Sequence, residues 1–232
     1  MIWGKACQVL SGFAKRADAL EFIDSPVDSI AELHESFRDI AFANRWFGGS
    51  GAVKSALRRV PARTILDVGS GIADIPASLR ETGREITCTD LNPALVDLAR
   101  REYGEDARMR FMVADASRLP FEDRAFDIAM CNLSLHHFEP ALAVKVLAEL
   151  RRVSRAPIVT DLVRAPLTYA AVFAFSRVFS RNRLTRHDGP LSVRRAYTPS
   201  EAASLAAHAG WRAPRVRRYG IIRLVLSDDA AV

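Results

Sequence analysis

Two aspartates and two glycines stand at the spacing a nucleoside ligand requires. The run Ile65-Leu66-Asp67-Val68-Gly69-Ser70-Gly71-Ile72-Ala73-Asp74 reads as a buried strand delivered into a glycine turn that opens a helix. Glycine there permits tight backbone geometry and lets a ligand approach the helix N-terminus closely. The next strand ends in Cys88-Thr89-Asp90, with Asp90 19 residues beyond Gly71. A carboxylate at that place can accept both hydroxyls of a ribose. A lone Gly-x-Gly is a weak signal. The complete strand, glycine turn, helix, strand and acid at this spacing points to an adenosine-containing ligand.

Dinucleotides and S-adenosylmethionine compete for that assignment. The dinucleotide fingerprint wants a third small residue where this chain has Asp74. A carboxylate at Asp67 suits a ligand carrying an ammonium and a sulfonium group, and repels a pyrophosphate. No Tyr-x-x-x-Lys pair stands ready to protonate a carbonyl. The dinucleotide reading fails.

Taken together, ILDVGSGIAD, TDLNPALV and FMVADASRLPFEDRAFDIAMCNLSLHHF resemble the class I S-adenosylmethionine-dependent methyltransferases, in the type 11-like branch of quinone-biosynthesis and other small-molecule methylases. The resemblance covers about residues 60–162. It implies that Asp67, Gly69 and Gly71 line the methionine part of the cofactor. Asp90 would bind the ribose hydroxyls with Leu91 against the adenine, Asp115 and Ala116 would read the adenine edge, and Asn132 and Leu133 would close the pocket. Ala73 departs from the third glycine of many relatives. Structural roles compete for three of these: Asp67 as a helix N-cap, and Asp115 and Asn132 as turn residues. Asn44-Arg45-Trp46-Phe47-Gly48-Gly49 and His187 to Arg195 resemble segments of bacterial methyltransferases encoded beside polyketide-type pathways of secondary metabolism.

Methyl transfer to a phenol or carbon acid also needs a proton acceptor. His136 and His137, just after the fourth strand, and His187 beside Asp188 are the candidates, because imidazole titrates near neutrality. His137 is preferred, since Phe138 looks like the next core anchor. No second carboxylate or histidine falls at ligand spacing near either site, so no metal is expected. Packing or capping roles compete for both sites.

Strand and helix alternate from Arg63 to Leu162, which predicts a doubly wound α/β sheet. Five parallel strands are expected at 64–68, 85–89, 109–113, 126–131 and 157–162. A hairpin turning at Gly220 would close a seven-stranded, Rossmann-like methyltransferase fold. Helices are expected over 29–47, 52–60, 73–81, 93–102, 141–153, 168–180 and 200–209, the last with Ser200 as N-cap. Residues 181–197 read as an Arg-rich connection. Residues 1–60 thus form an N-terminal helical cap, and 61–232 the cofactor domain, with a substrate-cover insertion at about 164–198. The apolar helix from Tyr169 to Phe179, rimmed by arginines, would serve as a core helix or as a lid touching a membrane surface.

The 232 residues carry a net charge of +6, unevenly placed. Residues 1–150 hold 18 basic and 22 acidic side chains, and residues 151–232 hold 15 and 5. Such asymmetry suits an anionic partner or a solvated surface. No run of 18 apolar residues and no secretory leader is evident, and Cys7, Cys88 and Cys131 lack ligand spacing. A cytoplasmic protein with reduced thiols is expected. The expected activity is methylation of an oxygen or carbon on a hydrophobic, aromatic, polyketide- or quinone-like small molecule. The rival readings are an RNA or protein methyltransferase and a noncatalytic cofactor-binding subunit. Asn132-Leu133-Ser134-Leu135 lacks the Asn-Pro-Pro-Tyr-type motif of amino acceptors, which argues against nucleic acid. Oligomeric state is not readable.

Overall fold

Alternation of side chains along each apolar run dictates a sheet with two buried faces. The computed structural model describes residues 13–25, 29–58, 60–104 and 108–229; Cys7 and the N-terminal dozen lie outside them. Strands β1 (Thr64–Val68), β2 (Glu85–Asp90), β3 (Met109–Val113), β4 (Phe126–Asn132) and β5 (Ser154–Leu162) pair in parallel. The hairpin β6 (Pro214–Tyr219) and β7 (Arg223–Asp228) joins antiparallel to β5. The order β3-β2-β1-β4-β5-β7-β6 is that of the expected methyltransferase fold. Crossing from β1 to β4 reverses the winding, and ligands bind at the carboxyl ends of strands at such a point.

Helices cover both faces. On one, Leu66, Val68, Ala129 and Val159 pack against α5 (Pro140–Val153) and α8 (Pro199–His208). On the other, Ile65, Ile86, Ile128 and Met130 pack against α2 (Gly49–Leu57) and α4 (Pro93–Tyr103). Helix α1 (Ile30–Trp46) starts at Ser29, whose side chain accepts from the Glu32 N–H, and α3 (Asp74–Ala77) follows the glycine turn. Helices α6 (Pro166–Phe179) and α7 (Arg183–Arg195) form the insertion after β5.

Four expectations need correction. Gly49 and Gly51 lie inside α2, where a Cβ would strike the Asn44 backbone at 2.8 Å and the Tyr219 hydroxyl at 2.6 Å, so close packing explains them. The helix expected over 73–81 is a single turn, α3, and a 3-10 turn at Arg80–Thr82. The N-cap of α8 is Thr198, which forms a reciprocal capping box with Glu201. Most important, residues 181–197 are mainly helical despite Pro190. Their inward face is polar: Thr185, Asp188, Ser192 and Arg195 are all buried, at helical spacing.

That polar face receives the N-terminal segment. Asp188 accepts from the backbone N–H of Phe22 (2.9 Å) and Ile23 (3.1 Å), and Ser192 donates to Glu21 (2.9 Å). Arg16 donates to the Arg195 carbonyl (2.7 Å) and the His136 carbonyl (2.7 Å), and Arg164 to the Phe13 carbonyl (3.0 Å). Helix α1 is tied to the same insertion, since Asn182 donates to the Glu32 carbonyl at 2.9 Å and Thr185 to Asp39 at 2.9 Å.

Candidate active site

Gly69 and Gly71 take positive φ angles of 70° and 54° at the end of β1. A Cβ on Gly69 would sit 2.6 Å from Ser134 Oγ, and one on Gly71 would sit 2.5 Å from the Phe37 ring. Both contacts are too short for any side chain, so the loop is a cradle only glycine can build. Ala73 also adopts a left-handed φ of 61°, a conformation that glycine reaches more readily than alanine.

Asp90 closes this cradle. Its carboxylate accepts from the Gly71 N–H (2.8 Å) and the Asn92 N–H (2.9 Å), so the acid is locked beside the glycine turn. Burial raises its pKa. Leu91, next to it, is 68% exposed and offers an apolar surface at the strand end. Asp67 is buried at the end of β1 and accepts from Asn132 Nδ2 at 2.6 Å; Thr160 Oγ1 donates to Asn132 Oδ1 at 2.8 Å. Asn132 therefore braces Asp67 from β4. Asp115 accepts from the backbone N–H and hydroxyl of Ser117, both at 2.8 Å, which lowers its pKa and makes it an Asx turn here. Ala116 packs partly buried against the main core. Leu133, at φ 52°, turns its side chain towards the cover cluster of Leu162, Val193 and Ala196.

The buried Asp67 carries a pH signature. Desolvation pushes its pKa from 3.8 to about 7. Between those values the native state holds a proton that the unfolded chain has released, so stability falls as pH rises through that window. Glu21, raised by burial to about 7, acts with the same sign. Asp67→Asn should therefore flatten, but not abolish, the fall in urea midpoint between about pH 4.5 and 7. An unchanged slope would show that Asp67 is ionised throughout.

The histidines lie on a 3-10 turn at Leu135–His137, just past β4. His136 is buried, with Nδ1 2.7 Å from Asp161 and its backbone N–H donating to the same carboxylate at 2.9 Å. His137 Nδ1 lies 2.7 Å from Asp24, and its side chain is 21% exposed. Burial opposes ionisation of Asp161 and Asp24, but their histidine partners outweigh it, helped at Asp24 by Arg195, and both pKa values are lowered. His137 also faces Asp90 closely enough to favour that carboxylate's charge, which links the pair to the glycine cradle. His187 lies apart in α7: its Nδ1 is 2.7 Å from Asp188 and its ring stacks on Phe22 at 3.8 Å, so it supports the segment that carries Glu21 and Asp24.

Glu21, Asp24 and Asp161 were not foreseen from the sequence. Glu21 shares a capping box with Asp24, and across more than a hundred residues its carboxylate lies 3.7 Å from His136 Nε2 and 4.0 Å from His137 Nε2. The expectation that no carboxylate stands near the histidines thus fails on tertiary grounds.

Residues 65–156 match the family model of the methyltransferase domain. Over that stretch the chain is similar to the class I S-adenosylmethionine-dependent methyltransferases. The chain is 38% identical over 105 residues to demethylmenaquinone methyltransferase of Thermus thermophilus, covering 44% of this chain and 46% of that protein. It is 25% identical over 175 residues to ubiquinone biosynthesis O-methyltransferase of Xanthomonas campestris, covering 68% and 73%. The chain matches less than half the length of the demethylmenaquinone methyltransferases it resembles. Its fold matches human N-acetylserotonin methyltransferase, solved in complex with S-adenosylmethionine, at a TM-score of 0.63 and 17% identity, over 97% of this chain and 66% of that one.

The cofactor is S-adenosylmethionine, and the residues present fit it: a side-chain-free cradle, a locked carboxylate at Asp90 and a buried acid at Asp67. Asp90→Ala removes the carboxylate placed for the ribose. It should weaken S-adenosylhomocysteine binding by about 2–3 kcal/mol, the scale of charge-assisted hydrogen bonds. Calorimetry returning the parent affinity would withdraw the ribose role.

Proposed function

We propose that the chain methylates an oxygen or carbon of a hydrophobic, aromatic small molecule of polyketide or quinone type. The observation that carries this reading is the meeting, at one end of the sheet, of the glycine cradle and two carboxylate-anchored histidines beneath a cover whose apolar cluster includes Leu133, Tyr169, Val172 and Val193. The cover is the N-terminal segment and helix α1 together with α6 and α7. When bound, S-adenosylmethionine supplies an electrophilic methyl group on sulfur. The chain's part is to align the acceptor, exclude water and take the acceptor's proton. His137, partly exposed and held by Asp24, takes the proton from a phenolic hydroxyl. Names of the relatives, which act on quinone precursors, support this acceptor class.

The RNA reading loses support from the fate of the basic surplus. Arg164, Arg195 and Arg223 are buried, and each bonds to the chain itself. Free, buried Cys88 and Cys131 fit a reducing, cytoplasmic setting. No helix among the described residues is long and apolar enough to cross a membrane. Incubation with labelled S-adenosylmethionine and a panel of phenols, alkylresorcinols and quinols tests the reading. Methylation of none of these, with transfer to RNA instead, would overturn it.

Peripheral membrane contact fits the outer side of the cover. Phe42, Trp46, Phe47, Phe175 and Phe179 form one ring cluster with centroids 5.1–6.4 Å apart. Trp46, Val178 and Phe179 are exposed, and the guanidinium groups of Arg45 and Arg177 stack on Trp46 and Phe173. Aromatics rimmed by arginine suit an anionic lipid surface. The chain should sediment with vesicles containing phosphatidylglycerol, and a Trp46→Ala, Phe179→Ala variant should lose most of that binding. Equal sedimentation of parent and variant would exclude the patch.

A further inference from the structure

We infer that Glu21, His136 and His137 form a binding site for a divalent transition-metal ion of the zinc class. Each of the three residues offers a ligand atom, and these atoms all lie within 4.8 Å of one another. Each imidazole is already oriented for the task. Its Nδ1 is held by a carboxylate at 2.7 Å, Asp161 for His136 and Asp24 for His137. A ring that donates its Nδ1–H to a carboxylate leaves the Nε2 lone pair free, and this is the arrangement that fixes metal-ligating histidines. Here both Nε2 atoms turn to the same glutamate.

Glu21 supplies a second, independent observation. The residue is 1% exposed, and its Oε1, the atom 3.7 Å from His136 Nε2, has no hydrogen-bond partner. A buried acceptor left without a donor costs about 1–3 kcal/mol, so such atoms call for an explanation. Ser192 satisfies only Oε2. The nearest cation is Arg195, whose Nη1 stands 3.8 Å from Oε1 and bonds Asp24 instead. Three carboxylates, Glu21, Asp24 and Asp161, thus crowd two imidazoles and one guanidinium, and a divalent cation would balance them.

The donor set selects the ion. Two imidazole nitrogens and one carboxylate suit zinc, cobalt or nickel, and suit magnesium or calcium poorly. Ligand atoms around zinc stand about 3.0–3.4 Å apart for bonds near 2.0–2.1 Å, so the present 3.7 and 4.0 Å must close by about half an ångström or a little more. Three protein ligands leave a further position open, and His137 is the ligand with a solvent-facing side. An acceptor oxygen could occupy that position, the metal's charge then easing loss of its proton, because a ligating His137 Nε2 has no lone pair left to act as the base. This last consequence rests on the methyl-transfer reading, whereas metal binding itself does not.

Untagged chain, stripped with chelator, should bind one zinc per molecule in calorimetry. Cobalt(II) should develop the visible absorption of a low-coordinate site. Glu21→Gln and His137→Ala should each weaken zinc at least tenfold, and Asp161→Asn about 10–100-fold, as for residues that orient metal ligands. Thermal melts of the metal-free variants check folding, and Glu21→Gln, which keeps the side-chain shape, decides the matter if a histidine variant fails to fold. His34→Ala and His208→Ala should leave the affinity unchanged. Binding as tight in Glu21→Gln as in the parent, or lost in those two surface variants, refutes the site. Absence of methyl transfer with zinc still bound would count against the acceptor reading alone.

Discussion

His137→Ala should lower turnover on a phenolic acceptor by about 10²–10⁴-fold while leaving S-adenosylhomocysteine affinity within a few-fold of the parent. The expectation follows from position. His137 is the partly exposed member of the pair, fixed by Asp24 and close to Asp90, whereas His136 is buried against Asp161. A general base must meet the acceptor, so His137 carries the larger kinetic effect and His136→Ala the larger cost to folding. Rates at saturating cofactor between about pH 6 and 9, with protein freed of metal, measure the base alone. If neither variant loses more than a few-fold, alignment of the reactants carries the reaction. If both lose equally and zinc restores neither, the two act as a unit.

Arg195→Met should cost about 1–3 kcal/mol of stability, the scale for leaving groups without their hydrogen-bond donor, since Arg195 is buried while Asp24 stays open to water and keeps His137. Arg195 is 2% exposed, bonds Asp24, and donates to the His137 carbonyl at 2.9 Å. Methionine fills much of the volume but leaves Asp24 without its guanidinium and the carbonyl without a donor. Adding Asp24→Asn should restore part of the loss, because the uncompensated charge is then gone. Urea unfolding of both variants reads the result, and a loss below about 1 kcal/mol would mean the network relaxes freely.

The cofactor half of the site was legible because its signal is local. Asp67, Gly69, Gly71 and Asp90 lie on two consecutive strands, and pairing Asp67 with Cys88 in register brings them together. Strand positions were readable for the same reason, since each apolar run fills its own slot. The acceptor half was not. Helix α7 hides its period, because beside Leu184 and Val193 it buries the polar Thr185, Asp188, Ser192 and Arg195. Glu21 and Asp24 gain meaning only when α7 holds their turn against the histidines, and no sequence window contains both sides. Asp115 differs again: its motif position suggests a ligand contact, and its carboxylate oxygen Oδ1 also accepts from the hydroxyl of Ser117 two residues on. The capping box at Thr198 and Glu201 was present in the sequence as Thr-Pro-Ser-Glu and was overlooked for the serine.

The tie between the N-terminal segment and α7 sets an order for biosynthesis. The ribosome makes residues 13–46 first, yet their partners at Arg164, Asn182, Asp188, Arg195 and Arg223 emerge last. The parallel sheet can assemble from β1 to β5, with Leu33 and Phe37 packing on Ile72, Leu95 and Leu98, while the polar ties of the opening stretch to α7 wait. Such long-range closure is slow and leaves apolar surface open to aggregation until it is complete. The roof of the reaction chamber is therefore the final piece to settle, and a nascent chain halted before α7 would own a cofactor cradle but no place to hold an acceptor.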